Sequence, residues 1–69
     1  MNIDDYNLST KDVSDLIDLW IFSERDRLIL KRRLIDGLTY ERLAEEFDLS
    51  VQRVKTIVYK SQEKIFKHI

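Results

Sequence analysis

The chain has 69 residues, with 12 Lys and Arg against 13 Asp and Glu, a formal net charge of −1 and no cysteine. A chain this short buries only about 60% of its unfolded surface, so one domain with a small core is expected and a second module is not. The missing cysteine excludes a disulfide framework, a thiol nucleophile and a zinc-thiolate site, and the lone His68 excludes a histidine metal cluster.

Residues 1–8 have no clear period and are expected to be irregular. Asp4 and Asp5 stand where a signal peptide would need basic residues. No apolar run approaches the roughly 20 residues that span a bilayer. A cytoplasmic protein with no membrane association is the expectation.

Ser9 followed by Asp12 has the form of a capping box, so a first helix should start near Thr10. Val13, Leu16, Ile17, Trp20 and Ile21 then repeat at the spacing of one helical face, and Trp20 is expected in the core. Asp12 and Asp15 fall in the early turns, where the helix dipole favours negative charge.

Ser23, with Asp26 three residues on, is the next cap. The helix predicted over 24–36 carries Leu28, Ile29, Leu30, Leu34 and Ile35 on several sides. Such a helix is packed by more than one neighbour, and it is read as the hub of the fold. Gly37, the single glycine, stands where a left-handed residue ends a helix at no steric cost.

Thr39 caps a short third helix with Tyr40, Leu43, Ala44 and Phe47 as its apolar positions. Ala44 is small enough for the next helix to approach closely. Asp48 and Leu49 make the turn. Ser50 opens a fourth helix that runs toward the C-terminus and frays near His68. The fold class is therefore all-α, a four-helix domain whose last two helices form a helix-turn-helix.

At about 100° per residue, Val54, Ile57, Val58, Ser61 and Ile65 share one side of the last helix, the predicted core stripe. Gln52, Thr56, Tyr59 and Glu63 fall opposite, with Lys55 beside them, and Arg53, Lys60, Lys64 and Lys67 form a flank. Residues 50–69 carry a net +4 and residues 1–22 a net −4, so a local basic face coexists with a neutral total. Gln52, Lys55 and Thr56 are side chains that hydrogen-bond base edges, and the flanking cations suit phosphates. Tyr59 suits a phosphate or a packed partner. Gln52, Lys55 and Thr56, each taken alone, equally fit an ordinary solvated surface, and Arg53, Lys60 and Lys64 also fit simple solvent-facing cations, whereas Tyr59 fits that reading less well. Ile65, Phe66 and Ile69 suit either packing on the first helix or an exposed dimerisation patch.

The segments SERDRLILKRRLIDG, TYERLAEEFDLS and VQRVKTIVYKSQEKI, within Ser23–Ile65, resemble the C-terminal promoter-reading region (region four) of bacterial RNA polymerase sigma factors. LuxR-type response-regulator domains share the G-L-T and S-x-x-x-V cadence. In sigma factors the early part of the last helix reads the upstream promoter hexamer. The resemblance implies that Val51, Gln52, Lys55 and Thr56 face bases and that Arg53 contacts phosphate. Arg42 and Arg33 are placed for backbone contacts, and Ser50, Tyr59 and Lys60 complete the backbone set. Val51 is apolar where polar readers are common, so base preference does not carry over. Asp48 stands where many helix-turn-helix proteins have glycine, and aspartate tolerates the left-handed conformation better than most residues.

Nothing in the sequence matches a region that melts promoters, so the expectation is a sigma-like module standing alone. It would recruit or retarget polymerase, block its sigma-binding surface, or regulate promoters as a separate DNA-binding protein. The leading expectation is a sequence-specific transcription regulator that binds double-stranded DNA. The alternative is a module that binds RNA polymerase or another protein without reading DNA. A homodimer and a monomer both stay open. With no carboxylate pair in a cleft, no glycine-rich phosphate loop and no nucleophile with a base, no enzyme and no cofactor are expected.

Overall fold

Each described helix of this chain starts at a hydroxyl side chain. The structure, a computed structural model, describes residues 9–68; the expectation for residues 1–8 and the role of Ile69 lie outside them. The elements are α1 (Thr10–Trp20), α2 (Glu24–Leu34), α3 (Tyr40–Phe47) and α4 (Val51–Phe66), with no strand among the described residues. The Ser9, Ser23, Thr39 and Ser50 hydroxyls accept from the backbone N–H groups of Asp12, Asp26, Arg42 and Arg53. In α1 the Asp12 carboxylate returns the bond to the Ser9 N–H, completing the capping box.

The core is one cluster fed by all four helices. Ile17, Ile29, Leu30, Leu43, Val54, Val58 and Ile65 are fully buried, and Val13, Ile21, Ala44 and Ile57 nearly so. Each large aliphatic side chain among them contributes about 1.5–3 kcal/mol relative to exposure. The α4 stripe is Val54, Ile57, Val58, Ser61 and Ile65, as the periodicity predicts. Helix α2 packs on each of the other three, as a hub should, but so does α4, so the centre of the fold is shared by two helices.

Two expectations need adjustment. Helix α2 ends at Leu34, not 36, because Ile35 caps it and Gly37 takes φ +73° while the Leu38 N–H reaches back to the Arg32 carbonyl. Trp20 is not a core residue. It is half-buried at the end of α1 and stacks on His68, 3.5 Å between ring centroids and 2° from parallel. Periodicity places it on the apolar face of α1, but it lies outside the core cluster.

Polar contacts fix the helices against one another. Arg32 of α2 makes a two-pronged bond to Glu46 of α3 at 3.1 and 2.7 Å, and Lys31 pairs with Asp18 of α1 at 2.7 Å. Arg27 donates to the Ile21 carbonyl at the α1–α2 corner.

Candidate nucleic-acid interface

The angle at which α4 is presented is set by the turn before it. Asp48 has φ 56°, ψ 46°, the left-handed conformation. The Leu49 N–H donates to the Ala44 carbonyl at 2.9 Å, and the Asp48 N–H to Glu45 at 3.4 Å. This is the Schellman pattern, with aspartate in the place glycine usually takes. Ala44, only 7% exposed, lets α4 approach α3 closely. Leu49 and Val51 pack against the core edge on either side of the Ser50 cap. The four residues from Leu49 to Gln52 therefore leave the turn in a fixed direction.

On α4 the expected readers have unequal surroundings. Gln52 and Lys55 are exposed. Thr56 is half-buried, and its hydroxyl donates to the Gln52 carbonyl at 3.1 Å. Its methyl group remains a contact surface. Val51 is half-buried against the core cluster, so only part of its side chain faces outward. The Lys55 ammonium lies 5.7 Å from the centre of the Tyr40 ring.

The basic flank lies along a groove. Arg53, Lys60 and Lys64, with Thr56, Ile57, Ser61 and Asp26, line an opening of about 180 Å³ between α4 and the start of α2. None of the three cations pairs with a carboxylate among the described residues. Unpaired cations on one ridge keep their charge available to an anionic partner. The Asp26 carboxylate faces the same groove but is bonded to Arg25 at 3.2 Å.

Two arginines from earlier helices stand apart from this ridge. Arg42 is exposed and shares a shallow cleft with Arg32, Glu45 and Glu46. Arg33 donates to the Leu38 carbonyl at 2.8 Å and sits 4.4 Å over the Tyr40 ring. It thus holds the α2–α3 connection, while its remaining N–H groups make no other hydrogen bond among the described residues.

Tyr59 is 54% exposed and meets Tyr40 edge-on, centroids 6.2 Å apart and planes at 75°. The neighbouring Tyr40 hydroxyl first, then partial burial, hold its phenol above the ordinary value of 10.0, with Arg33 opposing. Tyr40 itself is half-buried between these groups. Apolar spacing marked it only as a core-facing position, and the cluster around its ring comes from the crossing of α2, α3 and α4.

Among the described residues no group of His, Asp and Glu is placed to hold a metal ion, and no helix is long and apolar enough to cross a membrane. The family model described as Sigma-70, region 4 matches residues 22–67, so α2, α3 and α4 lie within the match and α1 precedes it. No curated protein and no solved structure gives a significant match.

Proposed function

The chain belongs to the sigma-70 region 4 family, a family of DNA-binding helix-turn-helix domains, and on that premise we propose that it is a sequence-specific transcription regulator with α4 as its recognition helix. The observation that carries this reading is the exposed first half of α4: among the described residues Gln52, Arg53 and Lys55 have no carboxylate partner and stand beside Lys60 and Lys64, which have none there either. Gln52 suits adenine through its paired donor and acceptor, Lys55 suits the guanine acceptors, and Thr56 and Val51 offer methyl groups to thymine. Arg53, Lys60, Tyr59, Ser50 and Arg42 serve the phosphate backbone, and Arg33 adds its remaining N–H donors. The described helices act together as one domain, in the cytoplasm, on double-stranded DNA.

Selection of bound duplexes from a random pool, followed by a salt titration on the winning sequence, tests this. Each phosphate contact contributes about −0.9 to the slope of log K against log salt. Enrichment of one sequence together with a steep slope is expected. No enrichment, or binding indifferent to salt, overturns it.

A second reading has its own observation. Leu19, in the last turn of α1, is 61% exposed and Phe22, just after the helix, 78%, near in sequence to the acidic Asp15 and Asp18. That surface suits a protein partner, and the family implies contact with RNA polymerase. Retention of polymerase after nuclease treatment, lost in Phe22→Ser, supports it; retention unchanged by that variant refutes this surface as the contact.

A further inference from the structure

Tyr40 opens α3, yet its ring is fixed by helices on both sides. From α2, the Arg33 guanidinium sits 4.4 Å from the ring centre while bonded to the Leu38 carbonyl. From α4, Tyr59 meets it edge-on. The Lys55 ammonium lies within 6 Å of the same ring, the range over which an aromatic face attracts a cation. Lys55 and Tyr59 are both exposed on the outer face of α4, and of the two Lys55 lies in the first turns, among the proposed base readers.

We propose that Tyr40 is a positioning residue for Lys55, a shelf that holds the lysine at the mouth between α3 and α4 before DNA arrives. The inference rests on the reading of α4 as a recognition helix. Its physical basis is the flexible lysine stem, which loses much rotamer freedom when its ammonium is fixed on one base. A ring that already confines the stem removes part of that cost, and it does so only for the base pair that Lys55 addresses. Arg33 and Tyr59 keep the ring from following the lysine. An exposed cation–aromatic contact of this kind corresponds to about a two- to five-fold effect on an equilibrium.

The test compares Tyr40→Leu, Tyr40→Phe and Lys55→Met on the selected duplex and on duplexes changed one base pair at a time. Tyr40→Leu should lose about two- to five-fold of the discrimination at the base pair that Lys55→Met affects, and leave the other positions and the salt slope unchanged. Tyr40→Phe keeps the aromatic face and should keep the discrimination. In the Lys55→Met background, Tyr40→Leu should add nothing. A uniform loss over all duplexes, or a flattened profile that persists without Lys55, overturns the proposal. A second measurement needs no variant: the Lys55 ε-methylene protons of the free protein should resonate upfield of free lysine because of the Tyr40 ring current. A resonance at the free-lysine position also overturns it. Failure to bind any duplex refutes the recognition-helix reading, whereas the ring-current shift reports on the Tyr40–Lys55 contact alone.

Discussion

The Trp20 indole and the His68 imidazole stack 3.5 Å apart, joining the last residue of α1 to the chain just beyond α4. Stacked aromatic pairs contribute about 0.5–1.5 kcal/mol beyond their burial. His68→Ala should therefore lower the melting temperature by a few degrees, at about 4–8 °C per kcal/mol for a domain this size. Because Trp20 is the single tryptophan, its emission reports on the contact directly. A change in intensity or wavelength should accompany the loss, and an unchanged spectrum counts against the stack in solution.

The left-handed Asp48 sets a second expectation. An L-residue with a Cβ is disfavoured there by roughly 1–2 kcal/mol, less for aspartate. Asp48→Gly should hold or raise stability, and Asp48→Val should lower it by about 1–2 kcal/mol. Urea unfolding monitored by circular dichroism measures both. Equal stability of the two variants would contradict the turn geometry.

The groove cations should differ from the reader side chains in what they control. Lys60→Ala and Lys64→Ala should each reduce the magnitude of the salt slope by about 0.9 and weaken all duplexes alike. Gln52→Ala should instead relax preference at one base pair by about 1–3 kcal/mol. Competition binding at several salt concentrations separates the two behaviours. A sequence-dependent effect of Lys64→Ala would move that residue to the reader set.

Tyr59 gives the pH dependence. Its phenol is raised above 10.0 in the fold, chiefly by the neighbouring Tyr40 hydroxyl. A group whose folded value exceeds its unfolded value stabilises the fold fully below the unfolded value. That contribution is lost as pH rises through the folded one. Stability should thus decline above pH 10, and Tyr40→Phe, which removes the hydroxyl partner, should return the Tyr59 titration toward the ordinary value. Site-resolved NMR titration distinguishes it from Tyr6 and Tyr40. A Tyr59 titration unchanged by the substitution would exclude Tyr40 as the cause.

Much of the fold is legible because its signals are local. Ser9, Ser23, Thr39 and Ser50 mark helix starts by chemistry that needs only the next three residues. The Val54-to-Ile65 stripe needs only the helical period, and all five of its members are buried. Depth is not local. Leu28 lies within the predicted hub and is 49% exposed, and Trp20 lies on the apolar face of α1 but outside the core. The exposed side of α4 was equally readable, but not the setting of its side chains. The Thr56 hydroxyl turns back on Gln52, Val51 leans on the core, and Lys55 reaches toward a ring on another helix. Such relationships depend on where helices cross, and a one-dimensional pattern does not contain crossing angles.

The four hydroxyl caps have a kinetic consequence. Each described helix start is specified within one turn of chain, by a signal that needs no tertiary contact. What remains is to form and dock these short segments across connections of three to five residues. Helical domains rich in near-neighbour contacts cross the folding barrier in microseconds to milliseconds, because little loop-closure entropy is lost at the top. Removing a cap hydroxyl should then act on the speed of folding wherever that helix is already formed in the transition state, and on unfolding where it is not.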